Sequence, residues 1–117
     1  DIRKFKDTNL PLNGKYESEY GSIFHFKNGK YHNESGPAYI GKRGYKDYRI
    51  NGKRHRIDGP AVIYPDPEVC SWYVNGYRIN SETIWNWLTE NDIPLDYKTW
   101  SNEDKMLFAL HWSDYNG

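Results

Sequence analysis

Residues 28–40 and 51–63 are two copies of one short segment. Asn28-Gly29-Lys30-Tyr31-His32-Asn33-Glu34-Ser35-Gly36-Pro37-Ala38-Tyr39-Ile40 aligns with Asn51-Gly52-Lys53-Arg54-His55-Arg56-Ile57-Asp58-Gly59-Pro60-Ala61-Val62-Ile63 at a constant offset of 23, with 8 of 13 positions identical. Chance gives fewer than about one identity over such a stretch, so the segment reads as a duplication. Partial copies flank the pair: Asn13-Gly14-Lys15-Tyr16 before it, and Trp72-Tyr73-Val74-Asn75-Gly76-Tyr77-Arg78 after it, where the Asn-Gly recurs 24 residues on. A chain of this kind folds by placing equivalent units side by side, because one small unit cannot bury its own apolar face.

The physics of one unit is legible. Each Asn-Gly follows a short aromatic or β-branched run: Ile23-Phe24-His25-Phe26 before Asn28-Gly29, and Tyr48-Arg49-Ile50 before Asn51-Gly52. Asn and Gly tolerate the positive φ that a two-residue type I′ hairpin turn requires. Polar residues and Gly-Pro-Ala come next, and Pro cannot donate to a ladder. A second strand then begins at Ala38-Tyr39-Ile40 and at Ala61-Val62-Ile63-Tyr64, and Pro65-Asp66-Pro67 turns the chain toward Val69–Val74. The repeat therefore predicts an antiparallel meander of about six to eight short strands.

Hydrophobic residues are only 37% of the chain, which alone would suggest disorder, but Phe, Trp and Tyr make up 17%. Rings bury large areas per residue, so the expected core is aromatic. Cys70 is the one cysteine. It can form no intramolecular disulfide and no multi-thiolate zinc site, and a reducing compartment fits it best. The opening Asp1–Asp7 does not read as a signal peptide, and no apolar run approaches the ~18 residues of a membrane span. The expected location is the cytoplasm.

The segment Tyr48–Asp66 resembles the variant MORN-type repeats of bacterial and bacteriophage proteins, with Asn51-Gly52, His55-Arg56-Ile57-Asp58-Gly59-Pro60-Ala61 and Tyr64-Pro65-Asp66 carrying the likeness. It extends over residues 13–78 and is strongest in the two central copies. Gly-Pro-Ala stands where the more familiar repeat has Gly-x-Gly, so membrane binding is not carried over. The resemblance implies a curved β-sheet used as an interaction surface, with no catalytic residues. In each copy the repeat-defining residues are Asn28, Gly29, His32, Gly36 and Pro37, and Asn51, Gly52, His55, Gly59 and Pro60.

The pattern changes after Asn80. Ser81 is a candidate cap for a helix carrying Ile84, Trp85, Trp87 and Leu88, stopped by Asn91-Asp92-Ile93-Pro94. Ser101-Asn102-Glu103-Asp104 reads as a capping box opening a second helix, with Met106, Leu107, Leu110 and His111 on one face. Residues 81–115 are thus expected to form a helical cap over one end of the sheet. The whole chain, 1–117, then reads as one mainly β domain with C-terminal α structure.

Candidate chemistry is sparse. His32 and His55 occupy one repeat position, and a residue repeated with the fold usually serves the fold. Glu34 and Asp58 are their nearest candidate co-ligands, but no metal or other cofactor is expected. Cys70 has no His or Lys near it in sequence and reads as a small apolar residue rather than a nucleophile. Phosphate-binding glycine loops and hydrolase motifs do not occur.

Charge is the more suggestive signal. The net charge is zero, yet residues 27–56 hold nine Lys/Arg against two acids, while residues 57–117 hold three against ten. Within this window Lys42, Arg43, Lys46, Arg49, Lys53, Arg54 and Arg56 interleave with Tyr45 and Tyr48, giving a candidate partner-binding set. Cations beside aromatics suit an acidic protein surface or nucleic acid. They could also complement the acidic C-terminal helices of the same molecule. The expected function is a non-catalytic protein–protein interaction module, concretely a small bacteriophage accessory protein that binds and inhibits a host factor in the host cytoplasm. The alternative is a nucleic-acid-binding protein using residues 42–56. The oligomeric state is left open.

Overall fold

The computed structural model describes the backbone of residues 2–5 and the whole of residues 12–65 and 67–117. Eleven strands are present among them: β1 (Ile2–Phe5), β2 (Gly14–Ser18), β3 (Ile23–Lys27), β4 (Lys30–Tyr31), β5 (Tyr39–Ile40), β6 (Lys46–Asp47), β7 (Arg49–Ile50), β8 (Lys53–Arg54), β9 (Val62–Pro65), β10 (Glu68–Val74) and β11 (Tyr77–Ile79). Two helices follow, α1 (Ser81–Glu90) and α2 (Asn102–Trp112), with a 3-10 turn at Tyr97–Thr99 between them. The strands form one sheet in the order β1-β2-β3-β5-β6-β9-β10-β11, with β4 on β3, and a separate β7–β8 hairpin. Every pair is antiparallel except β1–β2, which is parallel. The expected antiparallel meander with a helical cap is therefore what the chain forms. It has more strands than the six to eight expected, because the Gly-Pro-Ala segments interrupt the ladder and leave two-residue pieces. The turn read at Pro65-Asp66-Pro67 lies partly outside the described residues, at Asp66; β9 and β10 on either side of it pair antiparallel.

The three Asn-Gly turns form as the sequence implies. Asn28, Asn51 and Asn75 have φ of 52°, 50° and 54°, and Gly29, Gly52 and Gly76 have 75°, 81° and 86°. Positive φ at both positions is the type I′ signature. Each turn is also fastened to the copy before it. The Asn51 N–H donates to His32 Nδ1 and the Asn75 N–H donates to His55 Nδ1, both at 2.9 Å. The next residue repeats the device through the main chain: Gly52 N–H donates to Tyr31 O and Gly76 N–H to Arg54 O, both at 2.8 Å. The first turn is held the same way, with Asn28 N–H on Asn13 Oδ1 and Gly29 N–H on Leu12 O. Asn13-Gly14, read from sequence as a partial copy of the turn, instead supplies the acceptor that histidine supplies later, and Gly14 leads straight into β2. Histidine at the repeat position is thus a structural acceptor, and His32 and His55 have the same backbone surroundings.

The loops between hairpins are braced equivalently by different residues. Asn33 Nδ2 donates to Pro37 O, and Arg56 Nη1, 23 positions later, donates to Pro60 O, each at 3.1 Å. The side chain differs, but the carbonyl it ties down is the same.

The main core lies between the C-terminal end of the sheet and the helices. Trp72, Val74 and Ile79 from β10–β11 meet Ile84, Leu88, Ile93, Trp100, Phe108 and Trp112. As expected, it is aromatic: Phe108 is fully buried, with ring centroids 5.7 Å from Trp72 and 5.2 Å from Trp100. Asn75 ties the third turn to the end of the cap, its Nδ2 donating to Ser113 O and Tyr115 O.

Two sequence expectations for the cap are corrected. Asn80, not Ser81, caps α1, its side chain accepting the Glu82 N–H. In α2 the capping box forms at Ser101 and Asp104. The residues that α2 buries, however, are Phe108 and Trp112, while Met106, Leu107 and Leu110 face out. Two bulky rings fill the space against Trp72 more completely than the aliphatic stripe would, and α2 is apolar on both sides, so its periodicity does not choose. Trp85 is likewise half exposed.

Removing the Phe108 ring should destabilise the fold by about 3–5 kcal/mol as Phe108→Ala. Leu110→Ala, on the solvent side, should change it by less than about 0.5 kcal/mol. Urea midpoints measured by near-ultraviolet circular dichroism check both, and equal effects would contradict the helix orientation described.

Candidate interaction surface

Strand alternation sorts the sheet into two faces. Paired residues share a face, so the register Tyr16↔Phe24, Phe24↔Tyr39, Tyr39↔Asp47 and Phe26↔Tyr31 lays a row of rings along one side. Tyr45 and Tyr64, two positions from Asp47 and Val62, extend the row. Ring centroids are 5.2 Å apart for Phe26–Tyr31, 4.8 Å for Phe24–Tyr39, 5.7 Å for Tyr39–Tyr45 and 4.8 Å for Tyr45–Tyr64. Tyr31, Tyr39 and Tyr45 are half buried, and Tyr64 is 52% exposed. Trp72 and Val74 of β10 point to the opposite face, where the helices pack.

In the middle of the ring row sits a buried carboxylate. Asp47 accepts from Arg49 Nε at 3.3 Å and Nη2 at 3.1 Å, from Arg54 Nε at 3.4 Å, and from the Tyr45 hydroxyl at 3.3 Å. Each guanidinium also rests on a ring, Arg49 at 5.6 Å over Tyr31 and Arg54 at 5.2 Å over Tyr73. Arg49 Nη1 reaches on to Gly52 O in the hairpin turn. Asp47, Arg49, Arg54 and Tyr45, with the rings of Phe24, Tyr31 and Tyr39, line a cleft of about 360 Å³. Burial, and then the Asp47 carboxylate, push the Tyr45 hydroxyl up to about 12, so it remains a donor at neutral pH. The cleft therefore presents rings and two guanidinium groups around one carboxylate, a local excess of one positive charge.

The candidate set read from sequence is not one patch. Tyr45, Arg49 and Arg54 come together in the cleft. Arg56 and Tyr48 do not: Arg56 stacks 4.0 Å over Tyr48, pairs with Asp58 at 2.8 Å and braces the Pro60 loop on the other face. Lys42 and Arg43 are exposed in the β5–β6 turn, at the strand ends opposite the Asn-Gly turns. Lys46 points to the helix-side face beside Ile40 and Ile63. Lys53 lies along the turn edge, its stem over Gly76 as Lys30 lies over Gly52. Among the described residues, none of these cations forms an ion pair with the acids of α1 or α2; Asp47 and Asp58 take the arginines instead. Missed from sequence were Tyr31, Tyr39, Tyr64 and Asp47 as members of one surface. Only the strand register, which sequence leaves open, joins them.

His32 Nε2 lies 3.6 Å from Glu34 Oε1, but among the described residues no group of three His, Cys, Asp or Glu could hold a metal ion. Cys70 is half buried, with Sγ 3.6 Å from Glu68 Oε1. Burial and then Glu68 push its thiol up to about 11, so little of it is the nucleophilic thiolate at neutral pH. A larger groove of about 630 Å³ runs between the 33–36 and 55–58 loops, but Arg56 inside it is already committed to Pro60 and Asp58. No described helix is long and apolar enough to cross a membrane. The comparisons add no relative: no family model, curated protein or solved structure matches the chain.

The His55 staple makes stability depend on pH. Burial lowers the His55 pKa below its ordinary 6.5, and its Nδ1 must be unprotonated to accept from Asn75. Burial and then Lys15 lower His25 as well. A group with a depressed folded pKa binds protons better when unfolded. Its contribution is complete above about 6.5 and is lost as pH falls below that value, levelling off once the folded-state pKa is passed. Denaturant midpoints should therefore drop between pH 7.5 and pH 5. His55→Asn, which keeps an acceptor as Asn13 does, should show a smaller drop; an unchanged pH dependence would refute the staple.

Proposed function

We propose that this chain is a non-catalytic binding module that engages another protein through the ring row of the sheet. The observation that carries this reading is the row of half-buried Tyr31, Tyr39 and Tyr45 with the exposed Tyr64, flanked by Arg49 and Arg54, which Asp47 holds in place. Tyr and Arg are the residue types that dominate binding energy at protein interfaces, where rigid rings lose little entropy on contact. Here the rings are fixed by one another and the guanidinium groups by a carboxylate, so little ordering remains to be done on binding. The net positive charge beside the rings favours a partner with an acidic side chain next to an apolar one. A bacteriophage accessory protein that inhibits a host factor by covering its surface is the concrete form, and the likeness to variant MORN-type repeats belongs to the same proposal.

Single-stranded nucleic acid is the second reading. The specific support is that part-exposed tyrosine rings beside Arg49 and Arg54 are also the side-chain types that stack on bases and neutralise phosphates.

Capture from bacterial lysate tests both when run with surface variants. A stoichiometric protein retained by the wild type should bind roughly tenfold to thirtyfold more weakly to Tyr39→Ser and Tyr64→Ser, as hot-spot losses do, and should be unaffected by Lys42→Glu. Retention by both tyrosine variants would sink the proposal. Capture abolished by nuclease, with binding that falls steeply as salt rises, would favour the second reading.

A further inference from the structure

The helical cap carries a second surface, on the side of the molecule away from the ring row. Met106, Leu107 and Leu110 are 59%, 41% and 74% exposed. Their spacing of one, three and four residues makes them a single stripe along α2. Glu103 lies one turn before Met106 in α2, and Asp114 lies in the turn just past the helix end at Trp112; both are exposed, so an acid stands near each end of the stripe. We propose that this stripe is a docking site for a basic amphipathic helix of another protein.

Charge selects the occupant. A second copy packed stripe to stripe would set Glu103 against Asp114 in the antiparallel arrangement, or Glu103 against Glu103 in the parallel one. Both place like charges at the rim of an apolar contact, which disfavours pairing. A single helix with leucines on one face and lysines beside them sets its cations against the acids at both ends. Long, flexible Met and Leu side chains also adapt to varied apolar faces. Beneath the stripe, Phe108 and Trp112 are buried and the capping box fixes the helix start, so the surface stands on a rigid element.

The test uses the full chain and labelled model helices of about 18 residues, long enough to cover α2. One peptide alternates leucine and lysine faces; the other replaces every lysine by glutamate. Fluorescence anisotropy should show the lysine peptide binding at least roughly tenfold more tightly than the glutamate peptide. Leu110→Ser should weaken the lysine peptide by roughly tenfold or more, while Tyr64→Ser, on the other face, should leave it unchanged. Glu103→Lys combined with Asp114→Lys should invert the preference. Equal binding of the two peptides, or full binding by Leu110→Ser, would overturn the proposal. So would sedimentation showing a wild-type dimer that Leu110→Ser dissolves, which would make a second copy the occupant. Because the variants are solvent-facing, their circular dichroism should match the wild type, and failure here leaves the ring-row proposal standing.

Discussion

The hydrogen bond from each turn's asparagine N–H to an acceptor on the previous copy is what makes one structure out of several hairpins. A two-residue strand pair such as β7–β8 has too few ladder bonds and too little apolar face to persist alone. What it lacks is supplied laterally, by His32 or His55 through Nδ1 and by the carbonyl one residue earlier. Type I′ turns leave these N–H groups pointing outward along the stacking direction. Without an acceptor they would face the neighbouring unit unpaired, a loss of about 1–3 kcal/mol where water is excluded. The repeat thus conserves the turn and its acceptor as a pair, and the terminal copies improvise: Asn13 opens the series, and Asn75 closes it by donating to the tail of the helical cap.

The same logic explains why so charged a repeat region does not repel itself. Arg49, Arg54 and Arg56 come from a segment with a strong positive excess, yet each finds a carboxylate and a ring within the sheet. Asp47 is buried between two arginines and a tyrosine hydroxyl, so its desolvation is offset by several charge-assisted hydrogen bonds at once. Removing any one partner would leave a buried charge under-compensated. The cleft is therefore a structural network first, and its binding capacity comes from the ring edges and guanidinium faces that the network leaves open to solvent.

Sequence makes the turns, the repeat period and the cap legible, because these depend on local chemistry: φ preferences of Asn-Gly, the missing donor of Pro, the capping box at Ser101. It does not reveal the register. Tyr39 meets Phe24 and Asp47 only because residues 15 and 8 positions away pair with it, and nothing local to Tyr39 encodes those partners. For the same reason charge clustering along the chain misled. Positions 42–56 are contiguous in sequence, but a turn, two faces and two strand ends separate them in space. In α2 the failure has another cause. With Met106, Leu107 and Leu110 on one side and Phe108 and Trp112 on the other, pattern alone cannot say which side is buried, and the volume of the rings against Trp72 decides it.

That choice has a consequence for how the molecule works. A helix that buries its aromatic side has to leave its aliphatic side to water, at a cost in solubility that a merely structural cap could avoid with polar residues at three positions. The sheet shows a parallel economy, since its rings are half exposed on the face the helices do not cover. Alternation along β10 puts Trp72 and Val74 under the cap and Tyr73 on the ring face, so the two apolar surfaces are back to back and joined through one strand. Two such surfaces, one beside a positive cleft and one bracketed by acids, differ in charge and point in opposite directions. β10 and the Trp72–Phe108 contact form the rigid element between them.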